Sequence, residues 1–397
     1  MIHIDNKVDC CGCHACMMAC NFSCISMVPD AEGFLYPQAN GKVCIECGIC
    51  EKVCPMLQPS RLGDAPKAFA SWHRIEEIRT RSSSGGVFSA LMDQTLNLSG
   101  VVVGAAFDKT MILRHQLARN LNESCNFRGS KYVQSVIGGV YLEVKECLQQ
   151  GSKVLFSGTP CQIAGLNAYL GRDAASLTTC DLVCHGVPSP KVFKRYIQAF
   201  EERHGRKIQS INFRSKELGW KNFSILMTFD DSTVYCSDLK HDPFLIGFLR
   251  DIYLRPSCHE CRFSRLPRVA DISLADYWGV GGHHPEWDDD LGTSLVLIQT
   301  EKGQKAFDAC CNDLIVHESD LDLAILSNPC IAGSVPPNKN RSAFFHDLER
   351  LPFDKLMLKY MSPPSLWTRL PSLPRRIMRY GLRRINRLFQ TDIGRKD

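Results

Sequence analysis

The chain has 397 residues, 44% of them hydrophobic and 22% charged, with a formal net charge of +5. That length accommodates two or three domains, and the balance is that of a globular chain rather than a disordered one. No apolar run approaches the roughly 18 residues of a membrane-spanning helix, and so modest a charge gives no reason to expect a nucleic-acid partner.

Cysteine is the residue out of proportion: ten of the 21 fall within the first 54 residues. The opening MIHIDNKVDC lacks the apolar stretch of a signal peptide, so thiols and metal chemistry in a reducing cytoplasm are expected rather than disulfides. Cys10, Cys13, Cys16 and Cys20 follow the spacing C-x2-C-x2-C-x3-C, and Cys44, Cys47, Cys50 and Cys54 repeat it before Pro55. This is the run of bacterial two-cluster ferredoxins, in which the fourth cysteine of each run ligates the other cluster. It predicts one 4Fe–4S cluster on Cys10, Cys13, Cys16 and Cys54, and a second on Cys44, Cys47, Cys50 and Cys20. Three thiolates on a tight loop can converge on three irons of a cube, while the fourth corner faces away and needs a ligand from elsewhere. Gly12 and Gly48 let the backbone approach the sulfides. A tetrahedral zinc site has no use for a third and fourth cysteine at fixed offsets, given twice. Cys11 and Cys24 are surplus to the motif, and Cys24 reads as a small buried packing residue.

Residues 1–57 are therefore expected to form an α+β ferredoxin-like unit, followed by a polar linker with Pro and Gly at 58–66. Strand and helix signals then alternate: strand 68–73, helix 87–98, an uninterrupted apolar strand 101–107, helix 134–149, strand 153–156, helix 161–170, strand 177–183 and helix 191–203. That rhythm predicts an α/β domain over 66–361 with a largely parallel sheet. A hairpin is expected at 223–229 and 232–237, and a cysteine loop at 257–263. Sheet pattern returns at 271–278 and 294–300, and helices at 301–313 and 320–326. A Pro-rich stretch at 362–374 ends the body. Residues 375–389 read as a basic amphipathic helix, suited to an acidic partner or peripheral contact with an anionic membrane.

Further sites lie at the ends of these elements. Ser82, Ser83, Ser84, Gly85 and Gly86 stand directly before a helix, where free backbone N–H groups and the helix dipole favour an anion such as a cofactor phosphate. Ser157, Gly158, Thr159 and Pro160 follow a strand and open a helix, with Thr159 as N-cap and Pro160 at the first helical position. Cys161 and Cys184 then fall at the carboxyl ends of neighbouring strands, where open α/β sheets bind ligands. With the C-x2-C pair Cys258 and Cys261 they make four thiolates, enough for a third 4Fe–4S cluster, or by spacing alone for zinc. Cys180 and Cys236 are rivals inside strands, and Cys125, Cys147, Cys310, Cys311 and Cys330 show no metal spacing. His283-His284 reads as a polar loop, and Asp288-Asp289-Asp290 as a solvated acidic run.

Taken together, these pieces resemble the beta-subunit family of coenzyme F420 hydrogenases and dehydrogenases. The resemblance rests on the cysteine run and on SSSGGVFSAL at 82–91, GSKYVQS at 129–135, VLFSGTPCQIAG at 154–165, DLVCHGVP at 181–188, SCHECRF at 257–263, DISLADYWG at 271–279 and DDDLGTSL at 288–295. It implies an FAD-bearing α/β domain with iron–sulfur clusters, passing electrons between ferredoxin-type centres and a deazaflavin or another two-electron partner. By that resemblance the 82–86 loop, Lys131, Tyr132 and the turn Ser157–Pro160 belong to the flavin region. The expected activity is that of a cytoplasmic iron–sulfur flavoprotein oxidoreductase. Its alternative is a non-catalytic electron-transfer subunit docking on a partner enzyme, since variants of the family look like accessory redox proteins of surface-polysaccharide pathways.

Overall fold

The computed structural model of the protein describes residues 1–58, 64–171 and 174–362. The basic helix expected at 375–389 and nearly all of the Pro-rich stretch before it lie outside the described residues. Between the two cysteine runs the chain forms an antiparallel hairpin, β1 (Ile25–Pro29) with β2 (Leu35–Ala39), and each run carries a one-turn helix, Ala15–Met18 and Ile49–Lys52. Ile2, Cys16, Cys24, Ile25 and Cys50 close a small core between them.

The strands that follow are β3 (Lys67–His73), β4 (Val101–Phe107), β5 (Leu113–Ala118), β6 (Val154–Gly158) and β7 (Leu177–Leu182). Then come β8 (Ile208–Ser215), β9 (Ser224–Phe229) and β10 (Val234–Asp238), and after them β11 (Ile272–Asp276), β12 (Ser294–Ile298) and β13 (Leu314–Ser319). Eight of them make one sheet in the order β13-β3-β12-β11-β7-β6-β4-β5. Its centre is the expected parallel run, β11, β7, β6 and β4. The strands outside that run pair antiparallel. Parallel neighbours need a long crossover. The helix Val140–Gln149 lies between β4 and β6 in the chain, and Pro160–Leu170 between β6 and β7. Strand β12 is buried at every residue, as a strand covered on both faces must be.

Two helices are shorter than expected. The one read at 134–149 begins only at Val140, because Gly138 has φ +57° and residues 134–136 run extended, with Val136 N–H donating to Leu113 O at 2.9 Å. The one read at 301–313 stops at Asp308 and turns into β13. Strands β8, β9 and β10 form a separate antiparallel sheet. An aromatic core that includes Tyr196, Phe213, Phe244 and Tyr253 joins it to the helices Pro190–His204, Pro243–Leu249 and Phe353–Met361.

The N-terminal segment is tied into this body. Cys11, Cys13, Ala15 and Met56 share a core with Tyr141, Ile163 and Phe263. Arg341 Nη1 donates to Glu32 Oε1 at 2.8 Å, Gln134 Nε2 to Cys11 O at 3.0 Å, and Arg262 Nη1 to Met56 O. Among the described residues no helix is long and apolar enough to cross a membrane.

Candidate functional site

One cavity is lined by Cys10, Cys13, Cys16 and Cys54 together with Cys11, His14, Met27 and Met56. The first three cysteines come from one run and Cys54 from the other, so the hairpin between the runs folds the fourth thiol back. Burial pushes the Cys16 thiol up to about 12 and raises that of Cys54. Thiols held in this way stay protonated unless a metal supplies the compensating charge. Gly12, at φ +69°, is itself one of the residues lining this cavity. A Cβ there would meet the Arg255 guanidinium at 2.8 Å and Gln134 Nε2 at 3.0 Å, so its bareness admits those two side chains.

A second cavity is lined by Cys161, Cys184, Cys258 and Cys261, with Cys11, Met56, His185, Val187 and Phe263 around them. Cys161 opens the helix Pro160–Leu170 directly after β6, and Cys184 follows β7. The helix start is built as its sequence predicts: Pro160 stands at the first position, and Thr159 N–H donates to Gln162 Oε1 at 2.9 Å. Val187 N–H donates to Cys258 Sγ at 3.4 Å. Burial raises Cys258 to about 12 and also raises Cys184, while Cys161 is raised first by its hydrogen bond with Cys11. Among the described residues no three Cys, His, Asp or Glu side chains converge tightly enough to hold a single metal ion. Cys11, surplus by spacing, lines both cavities. Nothing in its local sequence separates it from a packing cysteine.

The remaining ferredoxin-type positions are more open. Cys47 is exposed, Cys20 and Cys44 are half-buried, and Cys50 is buried. Cys24 lies within this group, its Sγ 3.2 Å from Cys20 Sγ.

The loop at 82–86 and the segment carrying Lys131 and Tyr132 meet at Ser83 Oγ, which accepts from Ser130 N–H at 2.6 Å and from Ser130 Oγ at 3.0 Å. Lys131 Nζ donates to Asn126 O and Arg128 O, both at 2.8 Å, and burial lowers its pKa to about 7. Tyr132 stacks on Phe248 at 4.4 Å. Lys216, which the sequence does not single out, donates to Arg79 O, Ser84 O and Leu291 O within 2.6–2.7 Å and so clamps the loop. The acidic run is not simply solvated: Asp289 takes two hydrogen bonds from Arg79 at 2.7 Å, and Asp288 pairs with Lys221 at 2.7 Å. The turn Ser157–Pro160 is steadied by His115, whose Nε2 lies 3.0 Å from Ser157 O and Nδ1 3.1 Å from Ser135 Oγ. Burial lowers this imidazole to about 4, so it is neutral. The carbonyl can only accept, so Nε2 carries the proton and Nδ1 accepts from Ser135. His284 stacks on Trp287 at 3.7 Å and is thereby occupied.

Gly85 is committed to packing. Its N–H donates to Ser294 Oγ at 2.9 Å, and a Cβ would lie 2.3 Å from Ser71 O and 2.9 Å from Ser294 N. Gly85→Val should therefore lower stability by about 1–3 kcal/mol through overpacking, visible as a lower melting temperature in flavin-free protein. An unchanged melting curve with weaker flavin binding would instead give Gly85 to the ligand.

Residues 151–323 match the family model for the C-terminal part of the coenzyme F420 hydrogenase/dehydrogenase beta subunit. Among curated proteins nothing matches the chain. Among solved structures, one similar chain comes from the xenon-derivatised F420-reducing NiFe hydrogenase complex of Methanosarcina barkeri. It is 21% identical with a TM-score of 0.46, over 72% of this chain and 93% of that one. The matched stretch, residues 151–323, is similar to the C-terminal part of that beta subunit and holds Cys161, Cys184, Cys258 and Cys261 of the second cavity.

Proposed function

We propose that the protein is an iron–sulfur flavoprotein oxidoreductase that relays electrons through thiolate-held centres to FAD and on to a two-electron acceptor, either a coenzyme F420-type deazaflavin or another small substrate. One observation carries the reading: two cavities, each lined by the four thiols that the sequence groups for it, share Cys11 and Met56 as wall residues. When bound, 4Fe–4S clusters exchange single electrons, and FAD combines two of them into a hydride equivalent.

The chain's part is to hold and position these groups. Cys10, Cys13, Cys16 and Cys54 serve the first cavity, Cys44, Cys47, Cys50 and Cys20 the more open site, and Cys161, Cys184, Cys258 and Cys261 the second cavity. Cys11, Met56 and Phe263 keep the space between the cavities apolar. For the flavin, the side-chain Nε atoms of Arg128 and Arg214 are buried without a partner near the Ser83–Ser130 contact. Arg214 also donates to Ser83 O at 3.3 Å. Arg214 is itself paired with Asp276 at 3.0 Å, so the two Nε–H groups are what remain for a ligand, and such donors suit phosphate oxygens. Lys131, Tyr132, the 82–86 loop and the turn Ser157–Pro160 complete the proposed flavin site.

Anaerobically purified full-length protein should hold about twelve iron atoms and as many sulfides, from three four-iron clusters, with one FAD. Zinc in place of iron, or iron stoichiometry too low for two clusters, would sink the proposal. A second reading, an electron-transfer subunit, draws on the exposed apolar residues Val43 and Ile45 flanking Cys44 beside exposed Cys47. Reduction of protein acceptors alone, with no small two-electron acceptor turning over, would favour it.

A further inference from the structure

Arg255 is fully buried, yet among the described residues no carboxylate forms an ion pair with it. Its fork is spent on neutral groups: Nε donates to Cys10 O at 2.8 Å, Nη1 to Gln134 Oε1 at 2.9 Å, and Nη2 to Leu35 O at 3.0 Å. The guanidinium lies 4.2 Å from the Tyr36 ring centroid and 5.4 Å from that of Phe34. The carboxylates of the adjoining hairpin are engaged elsewhere, Asp30 with Lys7 and Glu32 with Arg341. A group able to carry negative charge, the Cys10 sulfur, lies 3.6 Å from Nη2. A guanidinium cannot shed its proton, and leaving such a charge buried without a counter-charge costs several kcal/mol. An anion in the first cavity would supply the missing counter-charge.

The backbone of the same residue belongs to the other cavity. Arg255 N–H donates to Val187 O at 3.0 Å, and Cys258 N–H donates to Arg255 O at 2.9 Å. Val187 and Cys258 both line the second cavity. No buried cation of this kind among the described residues serves the more open site: the Met1 ammonium, which lies near Cys44 and Cys50, is exposed and already paired with Glu51 at 3.1 Å. Among the described residues the sulfurs of Cys20, Cys44, Cys47 and Cys50 receive no hydrogen bond from Arg or Lys, and Cys44 takes one from Glu46 N–H at 3.4 Å.

We infer that Arg255 is the built-in counter-charge of the first cavity and sets the direction of electron flow between the two N-terminal centres, from the exposed site at Cys47 inward to the first cavity. This rests on the iron–sulfur reading given above. Adding an electron adds one negative charge beside the guanidinium, and in a low-dielectric interior that attraction is strong. The charge lifts the reduction potential of the first cavity's centre above that of the open one. Each transfer is a one-electron exchange, in which the outer centre is oxidised as the inner one is reduced, with no proton or further reactant required.

The test is a redox titration of full-length protein followed by electron paramagnetic resonance, with iron counted in every sample. In Arg255→Met the first centre should need a lower potential, by at least a tenfold change in its reduced-to-oxidised ratio at fixed applied potential, which is 59 mV for one electron. Arg255→Lys, which keeps the charge, should restore most of the shift. Iron retained with an unmoved potential in Arg255→Met overturns the inference. Should Arg255→Met lose its iron, the wild-type order decides: the signal that disappears in Cys54→Ser must be the one reduced at the higher potential, and the reverse order overturns the inference. Wild-type protein without iron in the N-terminal runs would overturn the iron–sulfur reading itself, a result recognisable from the iron count alone.

Discussion

Cys54→Ser should remove about four iron atoms per chain, the content of one 4Fe–4S cluster, and they should be lost from the centre built on the first cysteine run. Cys54 belongs by sequence to the second run, but it lines the cavity of Cys10, Cys13 and Cys16. A serine oxygen is a poorer ligand for iron than a thiolate, and burial of the cavity limits the access of any replacement ligand from solvent. Cys20→Ser should instead strike the open site. Full-length variants prepared anaerobically, with iron assayed and the surviving signals compared, decide between crossed and uncrossed ligation. Two intact clusters in Cys54→Ser would refute the crossed assignment. A fragment lacking the N-terminus is unsuitable for such work, because Cys11 and Met56 help to form the second cavity.

Arg268→Met should cost about 3–5 kcal/mol of stability, the usual penalty for stripping the partner from a buried ion. Arg268 and Asp181 are both fully buried in their side chains, 3.3 Å apart. Arg268 also reaches Ser273 Oγ at 3.0 Å and Leu182 O at 3.0 Å, joining β7 to β11 just before Cys184. Burial raises the Asp181 carboxyl above its ordinary value, and Arg268 opposes that rise. Without Arg268 the folded-state pKa climbs further. Between the ordinary carboxylate pKa and that raised one, the folded chain binds more protons than the unfolded chain, so stability falls as pH rises across the window and levels off above it. The deficit of Arg268→Met should therefore be largest at neutral pH and shrink toward acid, as urea melts at several pH values would show. Arg268→Met combined with Asp181→Leu should recover much of the loss, since an apolar pair of similar volume leaves no charge stranded. A deficit independent of pH would show that lost packing, not the stranded carboxylate, is responsible.

Much of the molecule is legible in its local sequence. The cysteine offsets, the cap Thr159-Pro160, the apolar strands β4 and β12 and the hairpin of β9 and β10 all depend on residues a few positions apart, where spacing and geometry are linked. The parallel centre of the sheet follows from the alternation of strands and helices. The flanking antiparallel strands β5 and β13 give little signal, because LRHQLA and LIVHES alternate weakly and lie partly exposed. Long-range partners are illegible. Arg255 looks like any arginine ahead of a cysteine loop, although its side chain crosses to Cys10, 245 positions away. Asp289 reads as one of three exposed acids until Arg79 is folded onto it. Cys11 is easily discounted because motif counting assigns ligands and leaves the remainder, whereas its importance lies in standing between two cavities.

The second cavity draws on five separated stretches of chain: Cys11, Met56, Cys161, Cys184, and the loop from Ser257 to Ser264. A ribosome delivers these in order, so the Cys10–Cys54 segment is complete long before Cys258 emerges. On the proposed function, the two N-terminal centres can be loaded while synthesis continues, but the third can be finished only on a nearly full-length chain. Its wall, including Cys11, is then closed by segments that have already folded. Scarce iron would thus leave truncated or late-matured chains with filled outer centres and an empty inner one, a failure of biogenesis that no defect in the ferredoxin-type motif would reveal.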